Sequence, residues 1–283
     1  MMLALEPVAA ARLPDVGAQA ARCLLLELET WPKPGLVSHV DRGSHDDMDA
    51  GTFRASAAAL GPYFQALAEA GARGVGLGRL RGIGIEAEAA MLAATGGINT
   101  HRGAIFGLGL LSAAVGARLG GHAGPRLSLG QIVSQRWGEA VRHGPVPAHS
   151  HGSKARRRYG AGGARQEAAA GFPCVYEVGL PALRRGARIA RGDAEMARVE
   201  ACFALIAALD DTNLLHRGGR AGLAFARDTA RRFLDAGGIG QPDWRDRARM
   251  VHEQFVALRL SPGGSADLLA MSLFVAAWDA GAT

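Results

Sequence analysis

The chain has 283 residues, enough for one large domain or two small ones with an ample core. Apolar residues make up 48% but aromatics only 6%, so alanine, leucine and valine must do most of the packing, which favours closely apposed helices. The formal charge of +6 admits nucleic acid, a membrane surface or a polyanionic small molecule as partner. Its densest basic stretch, 150–166, holds Lys154, Arg156, Arg157, Arg158 and Arg165 with only Tyr159 among them as an aromatic, which fits a phosphorylated small molecule better than nucleic acid.

Cys23, Cys174 and Cys202 are widely spaced with no C-x-x-C pair, which supports neither a zinc knuckle nor a disulfide framework. The apolar start is short and lacks a basic leading region, and no run of about 18 apolar residues occurs. The expected location is the cytoplasm, with reduced cysteines.

Helical periodicity runs through the chain. A first helix is expected at 17–29, ended by Pro32-Lys-Pro-Gly35, which cannot be helical through its prolines. Phe53, Ala57, Leu60, Phe64 and Leu67 line one face of a second, which stops at Gly71. The glycine-rich stretch from Gly71 to Gly84 reads as a loop and matches neither a P-loop nor a dinucleotide fingerprint. Helices follow at 84–94, 103–118 and 128–142. The segment 143–171 is the longest without a clear helix and reads as a lid or inserted loop. Further helices are expected at 180–191, on the face Val199, Cys202, Phe203, Ile206, Leu209, on the face Leu223, Ala226, Ala230, Phe233, Leu234, and at 243–258 and 264–279. Sustained period-two alternation is missing. The expected fold is all-α, in one domain over 1–283.

Chemistry concentrates in two related runs, Thr95-Gly-Gly-Ile-Asn-Thr-His-Arg-Gly-Ala104 and Asp210-Asp-Thr-Asn-Leu-Leu-His-Arg-Gly-Gly219. Each sets an amide, an imidazole and a guanidinium beside glycine, where backbone can approach a ligand. In the first, Asn99 or Thr100 can cap a helix, but His101 and Arg102 put positive charge at its N-terminus, which an anion there would reconcile. In the second, Asp210 and Asp211 are adjacent at a helix C-terminus, an arrangement a divalent cation would relieve. The alternative is that one Asp caps the next turn. Glu86 and Glu88, two apart, cannot face the same way on a helix, and the small residues around Glu86 favour it as the one in a site. In Ser261-Pro-Gly-Gly-Ser-Ala-Asp267, capping accounts for Ser265 and Asp267, while Gly263 and Gly264 offer an anion nest.

Together these segments resemble the triphosphoribosyl-dephospho-coenzyme A synthase family, from about Glu27 to Asp279. The resemblance rests on Thr30-Trp-Pro-Lys-Pro-Gly-Leu-Val-Ser38, His45-Asp-Asp-Met-Asp49, Gly84-Ile-Glu-Ala-Glu88, the runs around His101 and His216, Arg157-Arg-Tyr-Gly160 and Ser261-Pro-Gly-Gly-Ser-Ala-Asp-Leu-Leu269. Within that family, Glu29-Thr-Trp-Pro-Lys-Pro-Gly35 and Asp41-Arg-Gly-Ser-His45 look more like the malonate decarboxylase branch than the citrate lyase branch.

The resemblance implies joining ATP to 3′-dephospho-CoA, with release of adenine and formation of 2′-(5″-triphosphoribosyl)-3′-dephospho-CoA. A separate transferase would attach that product to an acyl-carrier subunit. On this reading Mg2+ sits on Asp210 and Asp211, with Asp49 as an additional ligand. Glu86 acts as base or cation stabiliser, and His101 or His216 protonates adenine. Lys33, Asn99, Arg102, Arg157, Arg158, Asn213, Arg217, Gly263 and Gly264 hold phosphates and substrate. Two other readings stand beside it: a nucleosidase or ADP-ribosyl hydrolase-like enzyme with water as acceptor, and a non-catalytic nucleotide sensor.

Overall fold

A computed structural model describes residues 13–145 and 158–279. Among these the secondary structure is entirely helical, with eleven α-helices and no strand, as the periodicity predicts. In chain order they are α1 (Val16–Leu28), α2 (Ala50–Ala72), α3 (Leu77–Ala94), α4 (Arg102–Leu119), α5 (Leu129–His143), α6 (Gly163–Ala169), α7 (Leu180–Ala190), α8 (Ala194–Ala208), α9 (Thr212–Asp235), α10 (Trp244–Ala257) and α11 (Gly263–Trp278). A π-helical turn, Cys174–Gly179, leads into α7, and a 3-10 turn, Gly238–Gly240, precedes α10.

The apolar, aromatic-poor composition finds its use at the centre. α4 buries thirteen of its eighteen residues, among them Leu108, Leu111, Ala113, Ala114 and Val115. It is long and apolar enough to cross a membrane, but most of it is enclosed by the other helices, as befits a core helix. α2 lies against it backbone to backbone. A Cβ at Gly71 would overlap the Ala113 carbonyl, and one at Gly116 would overlap that of Ala68. Larger residues would force the helices apart and open voids in a close-packed interior. One continuous apolar cluster draws side chains from α1 to α11.

Three expectations change. α3 starts at Leu77, inside the stretch read as a loop, because Leu80, Ile83, Ala87 and Met91 repeat at helical spacing and bury its inner face. Its glycines Gly78, Gly82 and Gly84 face open space, where they cost propensity but no packing. The segment 143–171 contains α6, whose Ala168 and Ala169 are buried; 146–157, with Lys154, Arg156 and Arg157, lies outside the described residues. α9 begins at Thr212 and is interrupted at Gly219, where φ is 61° and ψ −159°. All three cysteines are free thiols.

Candidate active site

The ends of these helices enclose one large cleft of about 700 Å³. The α3 face from Leu77 to Glu88 forms one wall, and the stretch Asn99–Leu110 another. The first turns of α9 and α11, the loop residues His45, Asp47 and Met48, and Glu27 of α1 complete it.

Local sequence explains why the polar residues meet there. Gly96 and Gly97, at φ 65° and 91°, end α3 in the left-handed region and turn the chain back. Asn99 Oδ1 then accepts from the Arg102 backbone N–H (3.2 Å), so α4 starts with its N-terminus toward the cleft. Asp211 caps α9 by accepting from the N–H groups of Asn213 (2.9 Å) and Leu214 (3.4 Å). Its other oxygen accepts from the backbone N–H (2.9 Å) and hydroxyl (3.0 Å) of Ser265, in the first turn of α11. The N-termini of α4, α9 and α11 therefore share one cleft: Gly103, Thr212, Asn213, Gly263 and Gly264 all line it. Three converging positive helix ends favour an anionic ligand. Arg102 and Arg217 line the same space and add full charges.

Glu88 lies on the cleft wall and pairs with the Arg102 guanidinium at 2.5 and 2.7 Å. Arg217 holds the carbonyls of Ser44 (3.1 Å) and Arg259 (3.2 Å) and reaches His45. His45 Nε2 meets Ser261 Oγ at 2.9 Å. Burial, then the Arg217 charge, pushes His45 below the usual imidazole range.

His101 is buried in the cleft wall. Thr100 Oγ1 donates to Ser56 Oγ (2.7 Å), which leaves the Ser56 hydroxyl to donate to His101 Nδ1 (2.6 Å). The proton of the neutral ring is then on Nε2, which is buried without a partner among the described residues. Burial, and after it the nearby Lys33 charge, drives this imidazole down to about 3.

Asp267 joins the lining from the first turns of α11. Its carboxylate fills the space beside Gly103, where a Cβ would overlap Oδ2, and accepts from the Ala104 backbone N–H. Burial raises its pKa well above the ordinary carboxylate range, and the charges of Glu27 and Asp211 add to the rise.

Of the residues expected from sequence, the cleft gathers His101, Asn99, Arg102, Asp210, Asn213, His216, Arg217, Gly263 and Gly264. Others go elsewhere. Lys33 is fully buried, and its ammonium donates to the carbonyl and carboxylate of Glu27. Glu86 faces solvent, and Glu88 takes the cleft side of α3. Arg158 is exposed and stacks over Tyr159, outside the lining. Arg157 lies outside the described residues.

The three expected metal ligands do not meet. Asp49 caps α2 through Thr52 and pairs with Arg42 (3.3 Å). Asp210 pairs with Arg227 at 2.6 Å, and both oxygens of Asp211 are occupied by protein donors. Among the described residues no group of three or more His, Cys, Asp or Glu side chains could hold a metal ion. This donor set does not fit a resident cation.

Glu27, His45, Asp47, Glu167 and Asp267 line the cleft although the sequence analysis gives them no site role, and Glu88 is the residue it places second to Glu86. Asp267 looked like an ordinary first-turn acid, and Glu27 like one more residue of an amphipathic helix. Glu88 and Arg102, 14 positions apart, are brought together only by the glycine turn between α3 and α4.

The model of the ATP:dephospho-CoA triphosphoribosyl transferase family matches residues 14–283. A "Probable 2-(5''-triphosphoribosyl)-3'-dephosphocoenzyme-A synthase" of Stutzerimonas stutzeri is 43% identical over 278 residues, covering 95% of this chain and 92% of that protein. Proteins with the same description from Pseudomonas aeruginosa and Acinetobacter calcoaceticus are 44% and 40% identical, covering 90% and 92% of this chain and 88% and 92% of their own. No solved structure matches. With its motifs distributed around one cleft and a match over nearly its whole length, the chain belongs to the ATP:dephospho-CoA triphosphoribosyl transferase family.

Proposed function

We propose that this cleft transfers the triphosphoribosyl group of ATP to the 2′-hydroxyl of 3′-dephospho-CoA, releasing adenine and leaving the triphosphate intact. The observation that carries the reading is the meeting of the α4, α9 and α11 N-termini with Arg102 and Arg217 in a cleft that also holds Glu27, Glu88 and Asp267. Positive helix ends suit a triphosphate. Carboxylates suit displacement at an anomeric carbon, which passes through an oxocarbenium-like state. The apolar part of the lining, including Leu77, Leu80, Phe106, Leu110 and Met271, suits a purine ring and a pantetheine arm.

Magnesium enters as Mg·ATP, a substrate complex, with its charge matched to the phosphates. Arg102, Arg217 and the helix ends hold the triphosphate and bring C1″ to the carboxylates. His101 stays neutral and supplies an Nε2–H donor of fixed direction. Glu88 takes the place first given to Glu86, as base toward the 2′-hydroxyl or counter-charge to the ribosyl cation.

We assign the product to the prosthetic group of a malonate decarboxylase acyl-carrier subunit, on the likeness of Glu29-Thr-Trp-Pro-Lys-Pro-Gly35 and Asp41-Arg-Gly-Ser-His45 to that branch. The cytoplasm, where ATP and dephospho-CoA are available, is the compartment this requires.

The test is adenine release from Mg·ATP with and without 3′-dephospho-CoA, followed by chromatography and mass spectrometry. Adenine formed only with the acceptor, together with the triphosphoribosyl adduct, is the expected result. Adenine formed without acceptor would make the protein a nucleosidase, and ATP binding without turnover would make it a sensor.

A further inference from the structure

Adenine is a poor leaving group as an anion, so cleavage of its bond to C1″ calls for a proton on the ring. The neutral His101 ring has none to spare near pH 7, because adding a second proton to this buried imidazole is opposed down to about pH 3. Glu88 is ion-paired with Arg102, and Glu27 with Lys33. Two lining carboxyls, Glu167 and Asp267, have no cationic partner among the described ion pairs. Glu167 is held by the Cys174 backbone N–H (3.1 Å) and thiol (3.2 Å), which leaves Asp267, beside the α4 N-terminus and near Glu27.

We infer that Asp267 delivers the proton to adenine as the C1″–N9 bond breaks, an assignment that rests on the transfer reaction proposed above. The bond from the dephospho-CoA 2′-oxygen to C1″ forms as the C1″–N9 bond breaks, and the bonding pair leaves with the purine. The Asp267 proton goes onto a ring nitrogen, so adenine departs neutral. The hydroxyl proton goes to Glu88, and exchange with water resets both carboxyls.

The surroundings keep that proton in place until it is needed. The charged groups facing Asp267 are Glu27 from α1, held by Lys33, and Asp211 from the start of α9; His101, ahead of α4, is neutral. The α11 dipole and the Ala104 N–H favour the carboxylate, but a helix end contributes only about 0.3–1 kcal/mol, and burial beside two other carboxylates outweighs it. Two acids with contrasting environments in one cleft divide the donor and acceptor roles.

The test compares Mg·ATP with its N7-methylated analogue, whose base leaves neutral without taking up a proton. D267N is expected to lower kcat for adenine release from ATP by about 10²–10⁴-fold while retaining ATP affinity, and to fall within about tenfold of wild type on the methylated nucleotide. Equal losses on both nucleotides, or unchanged turnover of ATP, would overturn the assignment. Should D267N fail to fold, the wild-type protein carries the test alone. Its kcat with ATP should fall as pH rises through the Asp267 ionisation, and that limb should be absent with the methylated nucleotide. The same limb with both would overturn the assignment. Wild-type protein inert on both would overturn the transfer reaction, and the assignment with it.

Discussion

Asp211 and Ser265 join two helix N-termini through a single carboxylate oxygen: Oδ2 of Asp211 accepts from both the backbone N–H and the hydroxyl of Ser265. The other oxygen caps α9. A Cβ at Gly264 would lie 3.1 Å from Oδ2, close enough that the carboxylate would have to shift slightly to admit it. The most conspicuous acid in the sequence therefore builds the cleft instead of reaching into it.

Asp211→Ala should accordingly act on stability. It removes a helix cap, about 1 kcal/mol, and leaves buried donors of Ser265 unpaired, about 1–3 kcal/mol. A loss of about 2–4 kcal/mol in urea denaturation is expected. EDTA should leave the melting temperature of the nucleotide-free protein unchanged, because protein donors already satisfy this carboxylate. A fall in melting temperature with EDTA would restore Asp211 as a metal ligand.

Lys33 leads to a second stability prediction. Its ammonium and the Glu27 carboxylate are both buried, and removing one member of such a pair strands the other charge. Lys33→Met is expected to cost about 3–5 kcal/mol, and Lys33→Met with Glu27→Gln to recover most of it. A lysine that gripped phosphate directly would instead raise KM for ATP and leave stability alone.

The fold was legible because helical periodicity survives in the apolar positions: Phe53 to Leu67 and Val199 to Leu209 lie where their spacing predicts. The start of α3 was hidden, since glycines that face open space look the same in sequence as glycines that form turns. The residues beside glycine turns stand out in the sequence, because turn chemistry and charge conflict locally at His101 and Arg102, and both line the cleft. Lys33 and Asp211 sit on protein partners instead of in the cleft, for a common reason. Charge type is visible in sequence, but whether a charge is spent on a protein partner depends on residues far along the chain: Ser265 is 54 positions from Asp211. For Asp267 a first-turn acid reading suffices locally, so nothing in the sequence points to its place in the cleft lining.

Gly103→Ala tests how closely α4 and α11 set the Asp267 carboxyl. The added Cβ would overlap Oδ2, and the carboxyl would have to swing away, a side-chain movement rather than a backbone one. Stability should change by less than about 1–3 kcal/mol, the usual range for overpacking, while kcat with ATP falls at least about tenfold. Activity on the N7-methylated nucleotide should be much less affected. A variant that loses both activities together would show that Gly103 serves phosphate binding instead.

His101 makes a prediction in which the sign is decisive. Burial, and then Lys33, lowers its pKa from 6.5 to about 3 in the folded protein, whereas an unfolded chain keeps it near 6.5. Between those values the unfolded state binds a proton that the native state refuses. Stability is therefore complete above about pH 6.5 and is lost as pH falls, with a slope from this group of about 1.4 kcal/mol per unit. Ordinary carboxylates titrate below about pH 5, and raised ones such as Asp267 cancel in a comparison of two variants, so the contribution of His101 is read as a difference between pH 6.5 and 5, worth about 2 kcal/mol. Urea denaturation of wild type and His101→Gln across that window should show this slope in the difference between them. The His101 ring should also give an NMR shift that stays flat from pH 8 to 5. A ring that titrated near its ordinary value would have a proton available at neutral pH, and the donation assigned to Asp267 would pass back to the histidine.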